Sequence, residues 1–237
     1  MVAGTISAGK SSLRPLLARV LPFAFFIALL ALQQGLARAG LIGEEGGRWM
    51  GALRGTAVAA LLAFFWNEYG ELRGRQAQGR ATPGSWFLAI AVGLGVFVLW
   101  ITFDRGWAVI GGEGAGFVPL RADGSVDWLL AGLRLLGLAA VVPVMEELFW
   151  RSFLLRWIDG RDFLGVDPRK ASLAALALSS ALFATEHSFW FAGLIAGAAY
   201  GWLYVRSGNL WIPIVSHAVT NGSLGLWILT TNNWRYW

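Results

Sequence analysis

Seven apolar stretches, each close to the length that crosses a bilayer, leave this chain little freedom in how it folds. A span needs about 20 apolar residues, and the candidates are residues 15–32, 51–66, 86–103, 128–145, 171–187, 189–205 and 210–230. In lipid every backbone group must find its partner within the protein, so runs this long read as helices. The expected fold is all-α, a single-domain polytopic transmembrane bundle of about seven to eight spans, the eighth being a re-entrant segment. Composition agrees, with 57% hydrophobic and only 14% charged residues, where a soluble domain carries about 25% charge. The 14 Trp residues suit aromatic belts at the two interfaces.

The absence of cysteine excludes disulfides, thiolate catalysis and thiolate metal sites. A net charge of +5 could suggest nucleic acid, but the basic residues cluster in loops beside apolar spans, where they set orientation. Those loops carry Lys10, Arg14 and Arg19, then Arg73, Arg75 and Arg80, then Arg151, Arg156, Arg161, Arg169 and Lys170. The positive-inside rule therefore puts the amino terminus in the cytoplasm and, after seven crossings, the carboxyl terminus outside. The first span resembles a signal peptide, with Ala37-Arg38-Ala39 at the place of a cleavage site. Arg38 and the spans that follow favour an uncleaved segment. Gly193, Gly197 and Gly201 make a smooth stripe on the sixth span, against which another backbone can pack closely.

Ionisable groups are expensive inside a membrane and mark function when kept there. The chain has two histidines, His187 and His217, and both fall in apolar spans. Glu146 and Glu147 end another span, just after the helix-perturbing Pro143. Adjacent helical residues point about 100° apart, so one carboxylate can face a cavity while the other pairs elsewhere. Glu147 lies four residues before Arg151, the favourable order for a helical ion pair. That assigns Glu146 to the cavity. Phe183 and His187 share a face, as do His217 and Asn221, with Ser216 and Thr220 on an adjacent face. A histidine and a carboxamide side by side can donate to one oxyanion. Each cluster also has a plainer role as interfacial acid, buried core histidine or polar helix–helix contact.

Taken in order, Glu146-Glu147-x-x-x-Arg151, Phe183-x-x-x-His187 and His217-x-x-x-Asn221 resemble the motifs of the CAAX prenyl endopeptidase and bacteriocin-processing (Abi) family of intramembrane proteases. The resemblance covers roughly residues 129–229. It leaves three N-terminal spans over 1–127 outside it and implies a catalytic helical core over 128–237. It also implies an endopeptidase of the bacterial cytoplasmic membrane that cuts a membrane-anchored or membrane-associated protein or peptide. Glu146 and His187 would activate a water, His217 and Asn221 would stabilise the oxyanion, and Glu147, Arg151 and Phe183 would support them. Metal-free glutamate catalysis is the expectation, and zinc on Glu146, His187 and His217 is its alternative. A non-enzymatic partner-binding protein of the same fold is the rival class. A proton relay or transporter is a third, against which the lack of an internal repeat counts.

One geometric condition follows. His187 ends its span and His217 begins its own, so as drawn they approach from opposite sides. They meet only if the fifth helix stops partway and turns under protein cover. Glu186, beside His187, is outside the motif and either orients the imidazole or lies near the interface.

Overall fold

The structure is a computed structural model that describes residues 13–73, 81–110 and 116–237. Lys10, Arg75 and Arg80 lie outside the described residues. Seven principal helices carry the chain: α1 (Arg14–Arg38), α2 (Glu44–Phe64), α3 (Pro83–Thr102), α4 (Trp128–Asp159), α5 (Leu173–Ala184), α6 (Trp190–Ser207) and α7 (Trp211–Thr231). No strand is present among the described residues. Four helices, α1, α3, α4 and α7, are long and apolar enough to cross a membrane. The protein is a helical membrane protein.

Local chemistry explains the helix ends. Pro15 and Pro83 sit at first-turn positions, where a missing N–H costs nothing. Thr82, Asp127 and Ser172 cap α3, α4 and α5 through their side-chain oxygens. Ser172 also bonds Asp159 through its N–H and hydroxyl at 2.7 and 2.6 Å, which ties the end of α4 to the start of α5. The α6 helix stops at Gly208, in the left-handed conformation that glycine adopts without strain.

Ala18, Val58, Val96, Met145, Phe183, Tyr200 and Ile214, one from each helix, join a single buried apolar cluster. The helix ends fall on two opposite sides. On one, Arg14 pairs with Glu68 at 2.8 Å, Trp211 donates to the Leu72 carbonyl, and Gly208 packs against Arg169. On the other, Ile110 donates to the Ser188 carbonyl, Phe117 to the Trp237 carbonyl, and Arg235 and Tyr236 reach Asp104.

The sequence reading needs three corrections. The fourth helix does not end near Met145 but runs to Asp159, because the apolar positions of 148–155 stay buried against α1 and α5. Arg151 and Arg156 are consequently helical and buried rather than loop residues. Arg19 is no orientation signal: it is buried in α1, with a bidentate bond to Glu71 at 2.6–2.8 Å and a bond to Ser152 at 2.8 Å. A guanidinium can be buried there because each of its three nitrogens meets an oxygen. The fifth helix ends at Ala184, so His187 lies beyond it.

The glycine stripe packs as expected. A Cβ on Gly197 would sit 3.0 Å from the Ser180 backbone, and one on Gly193 would sit 3.3 Å from Ala184 Cα. Backbone cannot yield as a flexible side chain can. Gly197→Val should therefore lower stability by about 1–3 kcal/mol. Thermal unfolding in detergent checks this, and an unchanged midpoint would mean that α5 and α6 are not held this closely.

Candidate active site

The middle of α4 departs from regular α-helix on both sides of the glutamates. Residues Gly137–Val141 and Leu148–Leu155 are π-helical, and the short α segment Val142–Glu147 lies between them. Such widened turns are frequent at functional sites. They rotate the helix faces, so that Glu146 and Glu147 both point toward α7 but meet different partners.

Glu147 is fully buried. One oxygen accepts from His217 Nδ1 at 3.0 Å, and the other pairs with Arg151 Nε at 3.1 Å. Arg151 donates onward to the Gly197 carbonyl at 3.0 Å, and its guanidinium lies over the Phe183 ring at 4.7 Å. The middle glycine of the stripe thus leaves its carbonyl accessible to the arginine.

Glu146 lies on the other side of His217. Its Oε2 is 3.9 Å from His217 Nε2 and has no hydrogen-bond partner among the described residues. It faces a cavity of about 310 Å³, which His187, His217, Asn221, Phe183 and Glu186 also line. Glu146 at the cavity and Glu147 with Arg151 is the arrangement that helical spacing predicts. The additional bond from His217 to Glu147 is one that spacing could not reveal.

The histidines meet as the geometric condition required. At about 1.5 Å per residue the twelve residues of α5 rise only about 18 Å, well short of a bilayer core of about 30 Å. The chain then turns through 185–189, where Ile110 N–H donates to the Ser188 carbonyl at 2.8 Å and Trp100 packs edge-on to His187 at 5.2 Å. The turn is thereby covered. Phe183 lies between the two imidazoles, 4.9 Å from His187 and 6.1 Å from His217. Tyr200 stacks on His217 at 4.9 Å and donates to Thr220 at 2.7 Å.

Hydrogen bonds assign the imidazole nitrogens. His187 Nδ1 is 3.0 Å from the Phe183 carbonyl, which can only accept, so Nδ1 carries the proton and Nε2 is left for the cavity. His217 Nδ1 donates to a carboxylate, which likewise leaves Nε2 to the cavity. Asn221 donates from Nδ2 to the Leu138 carbonyl at 2.9 Å. Glu186 neither contacts the His187 imidazole through a hydrogen bond nor stands apart, since its Oε2 accepts from Trp150 Nε1 at 3.1 Å. Among the described residues no three His, Asp or Glu side chains are gathered as metal ligands. Glu147 on His217 Nδ1 leaves Nε2 open, an arrangement that a zinc-ligating histidine shares.

Three regions before α4 or after α7, among them Trp100 of α3, complete the cavity, and none carries a sequence signal. Phe26, Ile27 and Leu30 of α1 form an apolar wall, and Tyr236 and Trp237 close the far side. Tyr236 stacks on Phe189 and donates to Asp104 at 2.6 Å, where Arg235 also bonds. The Tyr236 hydroxyl outweighs the burial of Asp104 and, with Arg105 and Arg235, holds its carboxyl below the ordinary range. A depressed carboxyl stabilises the fold above its unfolded pKa, and that contribution disappears as pH falls through the folded value. Acidification below about pH 4 should therefore release the 234–237 segment. Amide exchange of that segment checks this, and Asp104→Asn should show the same release at neutral pH. Unchanged exchange in the variant would rule the latch out.

No curated protein and no solved structure matched the chain. One family model did, over residues 128–223: type II CAAX prenyl endopeptidase Rce1-like. That match begins at the first residue of α4 and ends two residues past Asn221, so it takes in all three motifs. The segment that supplies the polar wall of the cavity is thus similar to an Rce1-like domain.

Proposed function

We propose that the protein is an intramembrane endopeptidase that hydrolyses a peptide bond in a membrane-anchored or membrane-associated polypeptide. The observation that carries this reading is the Glu146 side chain, which lines a cavity shared with His187, His217 and Asn221 and has an oxygen, Oε2, without a hydrogen-bond partner among the described residues. A carboxylate that lines a cavity without a protein donor is suited to holding a water. In this scheme Glu146 removes a proton from the water while His187 Nε2 accepts the second water hydrogen bond. The water oxygen bonds to the scissile carbonyl carbon, and the carbonyl electrons move to oxygen. A proton on His217 Nε2 and the second N–H of Asn221 would stabilise that oxyanion. Collapse breaks the C–N bond as the amine takes the proton from Glu146.

Glu147, Arg151 and Phe183 support the set without touching substrate. The scheme uses no metal; zinc held by Glu146, His187 and His217 is its alternative. Metal analysis of active protein tests the choice, and stoichiometric zinc with loss of activity on its removal would reverse it. The proposed topology is seven crossings of a bacterial cytoplasmic membrane with the amino terminus inside, the shorter α5 being completed by the covered turn. Lipid and a polypeptide substrate are the partners, with no nucleic acid.

The test compares peptide termini in membranes carrying wild-type or Glu146→Gln protein. Termini formed only with wild type establish proteolysis and name the substrate. Identical termini with both proteins folded would favour a partner-binding protein.

A further inference from the structure

The break in α4 next to the glutamates has a partner across the cavity. Val142 N–H bonds back five residues to the Gly137 carbonyl. In that register the Leu138 carbonyl would next pair with residue 143, but Pro143 has no N–H. The carbonyl is therefore left without a helical donor, a costly condition in a membrane protein interior. Asn221 Nδ2 fills the position at 2.9 Å, from a residue 83 positions away on α7. Because a carbonyl only accepts, the bond fixes which end of the carboxamide is nitrogen. The two N–H bonds of an amide lie in one plane, so fixing the first fixes the second. Asn221 is also one helical turn from His217 and lines the same cavity.

We propose that the Pro143 turn is a positioning device: it keeps the Leu138 carbonyl free of backbone donors so that this carbonyl can hold the Asn221 amide in orientation. Pro143 touches no substrate and acts through Leu138. The bond itself does not depend on the proteolytic reading, but its effect on catalysis rests on that reading.

Pro143→Ala supplies the missing N–H. Whether the helix keeps its wide register or relaxes to α, the Leu138 carbonyl gains a backbone donor, from residue 143 or 142, and Asn221 then shares its acceptor and is held less firmly. The expected result is a fall of about tenfold in kcat, KM within about twofold, and a melting temperature equal to or above wild type. Such a fall in a protein that is no less stable cannot come from misfolding. Pro143→Ser carries the same N–H and serves where the alanine variant does not fold. Wild-type kcat in either folded variant would overturn the positioning role.

A second measurement needs no activity. Asn221→Ala should lower the melting temperature in the wild-type background and lower it less in the Pro143→Ala background, as coupled groups do. Equal losses in both backgrounds would overturn the tie. Coupling found in a protein that cleaves nothing would keep the tie and defeat the proteolytic reading, so the two failures are distinguishable.

Discussion

Glu146→Gln should lower the single-turnover cleavage rate by about 10²–10⁴-fold, the range a positioned general base contributes. Glutamine keeps the size of the side chain and its carbonyl oxygen but cannot take a proton. The neighbours set the controls. Glu186 lines the same cavity, but its oxygen is engaged by Trp150. Glu186→Gln preserves that acceptor and should keep the rate within a few-fold of wild type. His187→Gln should fall between the two, since it removes the Nε2 that faces the water but leaves Glu146 in place. If Glu186→Gln lost as much as Glu146→Gln, the base would be misassigned. Binding provides the internal check. Glu146→Gln should keep substrate affinity, because the contribution of a base is made in the transition state.

How far the site was legible follows from what helical spacing encodes. A separation of four, acid first, marks a pair within one helix, and Glu147 and Arg151 form it at 3.1 Å. The angle between adjacent residues sends Glu146 elsewhere, and it faces the cavity. Spacing says nothing about contacts between helices, so the bond from His217 to Glu147, across 70 residues, was out of reach. The Asn221 acceptor is a backbone carbonyl, which no residue type announces; Pro143 was the only visible hint of the turn that exposes it. The fold was readable where apolar runs were long, in α1, α3 and α7. It was misread where a run of apolar residues carried buried arginines, since Arg19, Arg151 and Arg156 look like loop residues until their partners are known. Those partners, Glu71, Ser152, Glu147 and the carbonyls of Leu164 and Val166, come from other turns or other segments of the chain. Closure of the cavity by α1 and by Tyr236 and Trp237 is a property of packing alone.

The second large effect concerns stability. Arg151→Met should destabilise the protein by about 3–5 kcal/mol, the usual result of removing one member of a buried ion pair. For a chain of this size that corresponds to a fall of roughly 6–20 °C in melting temperature. The loss would come less from the missing attraction than from what stays behind, namely the Glu147 carboxylate with no exposed surface and only His217 left beside it. The Gly197 carbonyl and the face of Phe183 would lose their cation as well. The double variant Glu147→Gln with Arg151→Met removes the stranded charge and should recover most of the stability, since a buried pair is often no better than a neutral replacement of similar volume. Its activity should not recover. Glutamine can still accept from His217 Nδ1, but a neutral amide no longer places negative charge against the imidazole, and that charge helps a proton reside there during oxyanion formation. A folded, heat-stable and weakly active double variant would separate the two functions of the pair. An Arg151→Met protein that melts with wild type would instead mean that the surrounding helices, not the ion pair, hold Glu147 in place.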